Sequence, residues 1–308
     1  MYHFIVNTNS RTGKAKKIWE ELQDELNKRA IPHVVYDTQY AGHAIEISRK
    51  LVKSYDGEPI KVVVLGGDGT FNEVINGVRD YEKIEIGYIP TGSGNDLARG
   101  LGLSKDPMEN LNLILNSTEC MRMDIGCLSW DEGESKKYFA VSTGVGVDAD
   151  VCRRVLSSTL KKVLNKLGLG KFTYAILTIA SLFEMPPMNV HIVADGKDYG
   201  IVDKAIFIAI MNHKCEGGGV PMAPLADAMD GKLSMCCIHG VGKFKALTLF
   251  PSLLKGKHMS LDAYLGMDFK EADITLRTPF VWHTDGEMCS YNTVMHLECI
   301  PSALKIMK

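Results

Sequence analysis

The chain has 308 residues, 45% of them hydrophobic and 23% charged, enough for a large core and, by length, two domains. Its formal net charge of −2 argues against nucleic acid as the main partner. Eight cysteines without a Cys-x-x-Cys pair, no basic and apolar leader at the start, and no apolar run long enough to span a bilayer read as a cytosolic protein with reduced thiols.

In chain order, Tyr2–Val6 reads as a strand and Lys14–Lys28 as a helix with Ile18, Trp19, Leu22 and Leu26 on one face. Residues 34–36 form a second strand, and His43–Lys53 a helix burying Ala44, Ile47 and Leu51. Residues 60–65 are short, β-branched and nearly all apolar, as a strand buried on both faces would be. A helix follows, with Phe71, Val74, Ile75 and Val78 as its stripe; residues 84–89 are a further strand, and Asp96 starts another helix. Asp106 and Pro107 supply an N-cap and a first helical residue for residues 108–115. Such alternation predicts a parallel sheet covered by helices, with ligands at the carboxyl ends of its strands.

Three stretches sit at those ends. Gly66-Gly67-Asp68-Gly69-Thr70 is a glycine turn opening a helix, where free N–H groups suit a phosphate and Asp68 suits a magnesium bound to it. It is neither a P-loop nor a dinucleotide fingerprint. The loop from Asn7 to Lys14 could cradle phosphate or simply cap a helix. Pro90-Thr91-Gly92-Ser93-Gly94-Asn95-Asp96-Leu97-Ala98-Arg99 repeats the design, with Asp96 readable as a plain N-cap.

From about Cys120 strand-like runs dominate, at residues 121–128, 138–144, Met188–Ala194, 204–211, 232–238, 272–277 and 294–300. Asp131-Glu132-Gly133 and Asp195-Gly196 join neighbours, giving a mostly antiparallel β-sandwich domain. An insert places Leu160, Val163, Leu164 and Leu167 opposite Lys161, Lys162 and Lys166, with Arg153, Arg154 and Lys171 extending the charge. That layout suits an interfacial helix or an ordinary amphipathic one. Asp227 to Leu233 is turn chemistry, as is His283-Thr284-Asp285-Gly286-Glu287.

The phrase from Gly66 to Glu73 resembles the nucleotide-binding loop shared by diacylglycerol kinases, sphingosine kinases, NAD kinases and, more distantly, phosphofructokinases. The phrase from Pro90 to Arg99 is similar to the second signature of the diacylglycerol kinase catalytic domain, which NAD kinases and phosphofructokinases lack. The first loop keeps that family's Asn7, Ser10, Gly13 and Lys14 but has Thr8 and Arg11 where proline and a glycine stand. The resemblance implies a two-domain lipid-kinase fold like that of NAD kinases. An α/β nucleotide-binding domain would cover 1–119 and a β-sandwich substrate domain 120–300, with 301–308 returning to the first.

It further implies ATP bound by Asn7, Asn9, Ser10, Arg11, Thr38, Gly66, Gly67, Asp68, Gly69, Thr70, Asn72, Glu73, Gly92, Ser93 and Asn95. Asp68 and Asp96 would hold or orient a catalytic Mg2+, Asp285 would be the general base and Glu287 its magnesium-side support. A structural Mg2+ would bind Asp230 with backbone carbonyls of Asp227 and Lys232. The expected activity is phosphorylation of a lipid hydroxyl, diacylglycerol to phosphatidic acid, by a cytoplasmic enzyme peripheral to the inner membrane face, with a homodimer left open. Alternatives are a kinase of another lipid or soluble alcohol, NAD included, and a silent lipid- or nucleotide-binding protein.

Overall fold

The computed structural model describes residues 1–8, 14–157 and 170–308. Two units divide it, Met1–Ile125 with Ile300–Lys308, and Gly126–Cys299. In the first, β1 (Tyr2–Val6), β2 (His33–Asp37), β3 (Ile60–Gly66) and β4 (Ile84–Pro90) form a parallel sheet in the order β2-β1-β3-β4. β3 lies inside it, so Val62, Val63, Val64 and Leu65 are all buried, as an unbroken apolar run requires.

Trp19, Leu22 and Leu26 of α1 (Lys14–Lys28) and Leu111 and Ile114 of α5 (Pro107–Asn116) cover one face, packing on Phe4, Val63, Leu65 and Ile89. Asp106 caps α5 as its sequence predicts, accepting from Met108 N–H at 2.9 Å. α2 (His43–Lys53) and α3 (Asp68–Gly77) pack against each other at a bare contact. A Cβ on Gly77 would lie 1.9 Å from Ser48 Oγ and 2.5 Å from the Ile45 carbonyl.

The end of the chain belongs to this unit. Ile306 pairs in parallel with Ile86 of β4, Asp124 accepts from Ser302 N–H at 2.6 Å, and Lys305 reaches Glu82 at 2.6 Å. Arg122 also meets Glu82 at 2.6 Å, and hydrogen bonds from Arg122 and Lys305 hold the Glu82 pKa down at about 2.

The second unit is antiparallel. β12 (Tyr264–Phe269), β11 (Leu233–Ile238), β10 (Phe207–Met211), β7 (Ser142–Gly146) and β13 (Glu271–Thr284) pair in that order. β13 also pairs with β14 (Glu287–Met307) and, over residues 272–276, with β8 (Met188–Ala194), which carries β9 (Lys197–Ala205) at its edge. β5 (Cys120–Trp130) pairs with β6 (Ser135–Phe139). Trp282, Phe139, Phe269, Ile192, Ile208 and Leu297 fill the sandwich core. A second apolar cluster joins the sheet to Val147 of α6 (Val147–Ser157), Leu182 of α7 (Gly170–Glu184) and Leu253 of α8 (Lys243–Leu254).

Four expectations change. The run 138–144 is two strands, broken at Ala140 and Val141, and 204–211 breaks around Ile206, where Lys204 has φ +53°. α8 has no counterpart among the elements expected from sequence, and it carries Pro251 inside it. Arg153 and Arg154 do not extend a free positive face: both bind Asp150, and Arg154 also binds Glu184 at 2.6 Å. Lys161, Lys162 and Lys166 lie outside the described residues. No described helix is long and apolar enough to cross a membrane. All eight cysteines are free thiols.

Candidate functional site

In the first unit the carboxyl ends of β1, β3 and β4 bring three loops together. Asn7 N–H donates to the Leu65 carbonyl, Thr38 N–H to the Val6 carbonyl and Thr91 N–H to the Gly66 carbonyl, at 2.7–2.8 Å. Asn7 Nδ2 then donates to Thr70 Oγ1 at 3.0 Å, locking the first loop to the start of α3. The two glycine turns touch backbone to backbone: a Cβ on Gly92 would stand 2.6 Å from Gly67 Cα. Glycine is needed there for room, and a ligand can approach the same bare surface.

Two carboxylates converge beside those turns. Asp68 accepts from Tyr88 O–H at 3.2 Å and from Asp96 N–H at 3.0 Å, so the first motif orients the second. Asp96 is buried and binds Arg99. A Cβ on Gly94 would lie 3.4 Å from Asp96 Oδ2 and 3.5 Å from Asp68 Oδ2, which places both oxygens around one small space. An all-oxygen pair of this kind fits Mg2+. Asn95, at φ +52°, precedes α4 (Asp96–Gly100), and its buried Oδ1 accepts nothing among the described residues. Ser93 is exposed.

Other sequence candidates have scaffold duties. Glu73 accepts from Gly42 N–H at 2.8 Å and Ala44 N–H at 3.2 Å, satisfying the start of α2. Asn72 is buried and its amide oxygen takes a bond from Asn76. Asn9, Ser10 and Arg11 lie outside the described residues. Tyr88 was missed; its only signal is a polar head on an apolar strand.

In the second unit Asp285 and Gly286 form the turn between β13 and β14, with φ +49° and +84°. Asp285 Oδ1 accepts from Val141 N–H at 2.8 Å and Ser142 N–H at 3.0 Å, and Oδ2 from Ala140 N–H at 2.8 Å. The break between β6 and β7 thus aims three donors at one carboxylate. Asp285 N–H donates to the Ser142 carbonyl, closing the arrangement, while Glu287 is exposed next to it.

Beneath that turn His283 is fully buried, with Nε2 2.8 Å from Asp148 Oδ2, and its Nδ1 accepts from Gly286 N–H at 3.2 Å. The two bonds assign the neutral ring with its proton on Nε2. Burial opposes charge on His283, but Asp148, helped by Glu216 and Asp285, outweighs it and raises the pKa. Cys152 stands one helical turn from Asp148, near enough that the three side chains form a candidate metal-ligand group. The hydrogen bonds disfavour that use, since a metal on Nε2 would push the proton to Nδ1, against Gly286 N–H. Burial and nearby Asp148 push the Cys152 thiol well up. Neither Asp148 nor His283 was assigned a role from sequence; a histidine directly before Thr284-Asp285 was the available signal.

In the loop before β11, Asp227 Oδ1 accepts from Met229 N–H at 3.1 Å and Asp230 Oδ1 from Lys232 N–H at 2.9 Å. Asp230 N–H points to the Asp227 carbonyl at 3.4 Å. Burial, then Asp227 and Asp268, raise the Asp230 pKa, a crowding of acids that a hard cation would relieve.

The model of the diacylglycerol kinase catalytic domain matches residues 1–128, and that of the YegS C-terminal NAD kinase beta sandwich-like domain matches residues 140–308. A Bacillus subtilis protein named "Putative lipid kinase YtlR" is 28% identical over 99% of this chain and 98% of its own. A diacylglycerol kinase of Mycobacterium tuberculosis is 31% identical over 65% of this chain and 62% of its own. Among solved structures, a "putative diacylglycerol kinase" from Bacillus anthracis superposes with TM-score 0.78 at 22% identity, covering 99% of this chain and 96% of that one. An Archaeoglobus fulgidus NAD kinase in complex with ATP shares the fold at TM-score 0.55 and 11% identity, covering 100% and 94%.

Proposed function

The chain belongs to the family of the diacylglycerol kinase catalytic domain with its YegS-type β-sandwich partner and is a lipid kinase; we propose that it transfers the γ-phosphoryl group of ATP to diacylglycerol, giving phosphatidic acid. The observation that carries the reading is the pair of glycine turns with Asp68 and Asp96 facing one space. Phosphoryl transfer needs positioning and charge neutralisation more than covalent chemistry. Gly66, Gly67, Gly69, Gly92 and Ser93 offer bare backbone to the phosphates, with Asn7, Thr38, Thr70 and Asn95 around them.

Asp68 and Asp96 would hold Mg2+, which when bound offsets charge on the phosphate oxygens. Asp285 is the general base for the lipid hydroxyl proton, its direction fixed by the three N–H donors. Glu287 supports it from the next position but one. A second Mg2+ would be held by Asp230 with the Asp227 and Lys232 carbonyls and would serve the fold.

The test is a purified-protein assay with labelled ATP and detergent-dispersed diacylglycerol, other lipid alcohols, and NAD. Label in phosphatidic acid is the expected result. Label in another lipid alone overturns the acceptor, and label in NAD alone or in no product overturns the reading.

A further inference from the structure

We propose that the exposed faces of α7 and α8 form a docking surface for an anionic phospholipid bilayer, deepening the lipid-kinase reading by naming how the protein would meet its substrate phase. On α7, Ile176, Ile179 and Phe183 fall at i, i+3 and i+7 and are all exposed. On α8, Phe244 is 79% exposed and Leu254 48%, with exposed Pro251 between them on the same side. The two stripes meet: the Phe183 and Phe244 rings pack edge to face at 5.3 Å, and Lys243 Nζ donates to the Phe183 carbonyl at 2.6 Å.

The opposite sides are anchored. Leu182 and Leu253 are buried in one cluster with Met211, Met222 and Ile238. Past α8, buried His258 meets the Met222 carbonyl at 2.9 Å, and a Cβ on Gly256 would lie 3.2 Å from Pro221. The helices therefore hold their place without the outer aromatics, whose exposure calls for an occupant.

Charge identifies it. From Lys243 to Lys257 the chain carries Lys243, Lys245, Lys255 and Lys257 and no carboxylate. Aromatic and aliphatic side chains flanked by lysines match the boundary of an anionic membrane, where rings enter the headgroup layer and ammonium groups meet phosphates. A second copy fits poorly, because a two-fold contact would set lysine against lysine with no acid in the stretch to answer it.

The experiment is co-sedimentation with phosphatidylglycerol vesicles, and with phosphatidylcholine vesicles for comparison. Wild type should bind the anionic vesicles and release in high salt. A K245Q/K255Q/K257Q variant should bind on the order of 100-fold more weakly, at about fivefold per lysine. Phe244→Ser should weaken binding on both kinds of vesicle, and Phe244→Trp should report apolar surroundings by quenching from brominated acyl chains. Unchanged sedimentation of the lysine variant, or an unquenched tryptophan, overturns the proposal. So does a solution dimer that Phe244→Ser converts to monomer, which would make the face an interface between copies. Binding requires no turnover, so an inactive wild type whose variants still lose the vesicles would remove the kinase reading and leave the docking surface standing.

Discussion

Asp285→Asn separates the structural job of that carboxylate, holding three backbone N–H groups, from the general-base role proposed for it. An asparagine can keep its carbonyl oxygen toward Val141 and Ser142, but its amide then faces Ala140 N–H, donor against donor. The two surviving bonds fall from a charged acceptor to a neutral one, and the third leaves a half-buried N–H unsatisfied, a loss of about 2–4 kcal/mol in all. Loss of a placed general base lowers turnover about 100- to 10,000-fold. The assay is kcat with saturating ATP and detergent-dispersed lipid, measured well below a melting temperature recorded for each variant. The expected result is a lowered melting temperature together with a kcat reduced by at least 100-fold under folded conditions. A variant retaining more than a few per cent of kcat would show that Asp285 is not the base, and an unchanged melting temperature would refute the three-donor account.

Gly92→Ala and Gly94→Ala should part ways. The first drives a Cβ to 2.6 Å from Gly67 Cα and should cost about 1–3 kcal/mol of stability as well as ATP affinity; the second meets only carboxylate oxygens at 3.4–3.5 Å and should weaken ATP binding, read by calorimetry, with little change in melting. EDTA should destabilise wild type more than Asp230→Ala, because an ion bound only by the folded state stabilises it by mass action; equal responses remove the structural ion. For Glu82 the folded pKa, about 2, lies below its usual 4.5, so its contribution is present above 4.5 and is lost as pH falls toward 2. Glu82→Gln should therefore cost about 0.2–1 kcal/mol near neutrality, small because the side chain is exposed, and the difference should fade in acid denaturation series.

The first unit was largely legible because a parallel sheet writes itself in continuous apolar strands and striped helices; β3 and α1 are cases in point. The second unit was less so. β9 is polar at a sheet edge, and the strand break at Ala140 hides inside an apolar run, since a break there changes direction and not composition. That break matters most, because it creates the donors for Asp285. Resemblance to the family's motifs pointed to Asp68, Asp96 and Asp285, whereas the partners that orient them, Tyr88, Ala140 and Ser142, come from distant parts of the chain and leave no local pattern. Glu73 shows the converse: adjacent to a glycine motif, it serves a helix 30 residues upstream, a contact only the tertiary structure brings about.

Gly144 pairs with His283 across β7 and β13, and a Cβ there would sit 1.9 Å from Asp148 Oδ2 and 3.0 Å from His283 Nε2. The missing methyl group is the room in which the Asp148–His283 bond exists. The three positions should consequently be inherited as one unit: alanine at 144 would require a shortened or redirected side chain at 148, and loss of the histidine would free 144 to vary. Co-variation of these positions across related chains, set against the independence of neighbours such as Val145, is the trace this packing should leave in evolution.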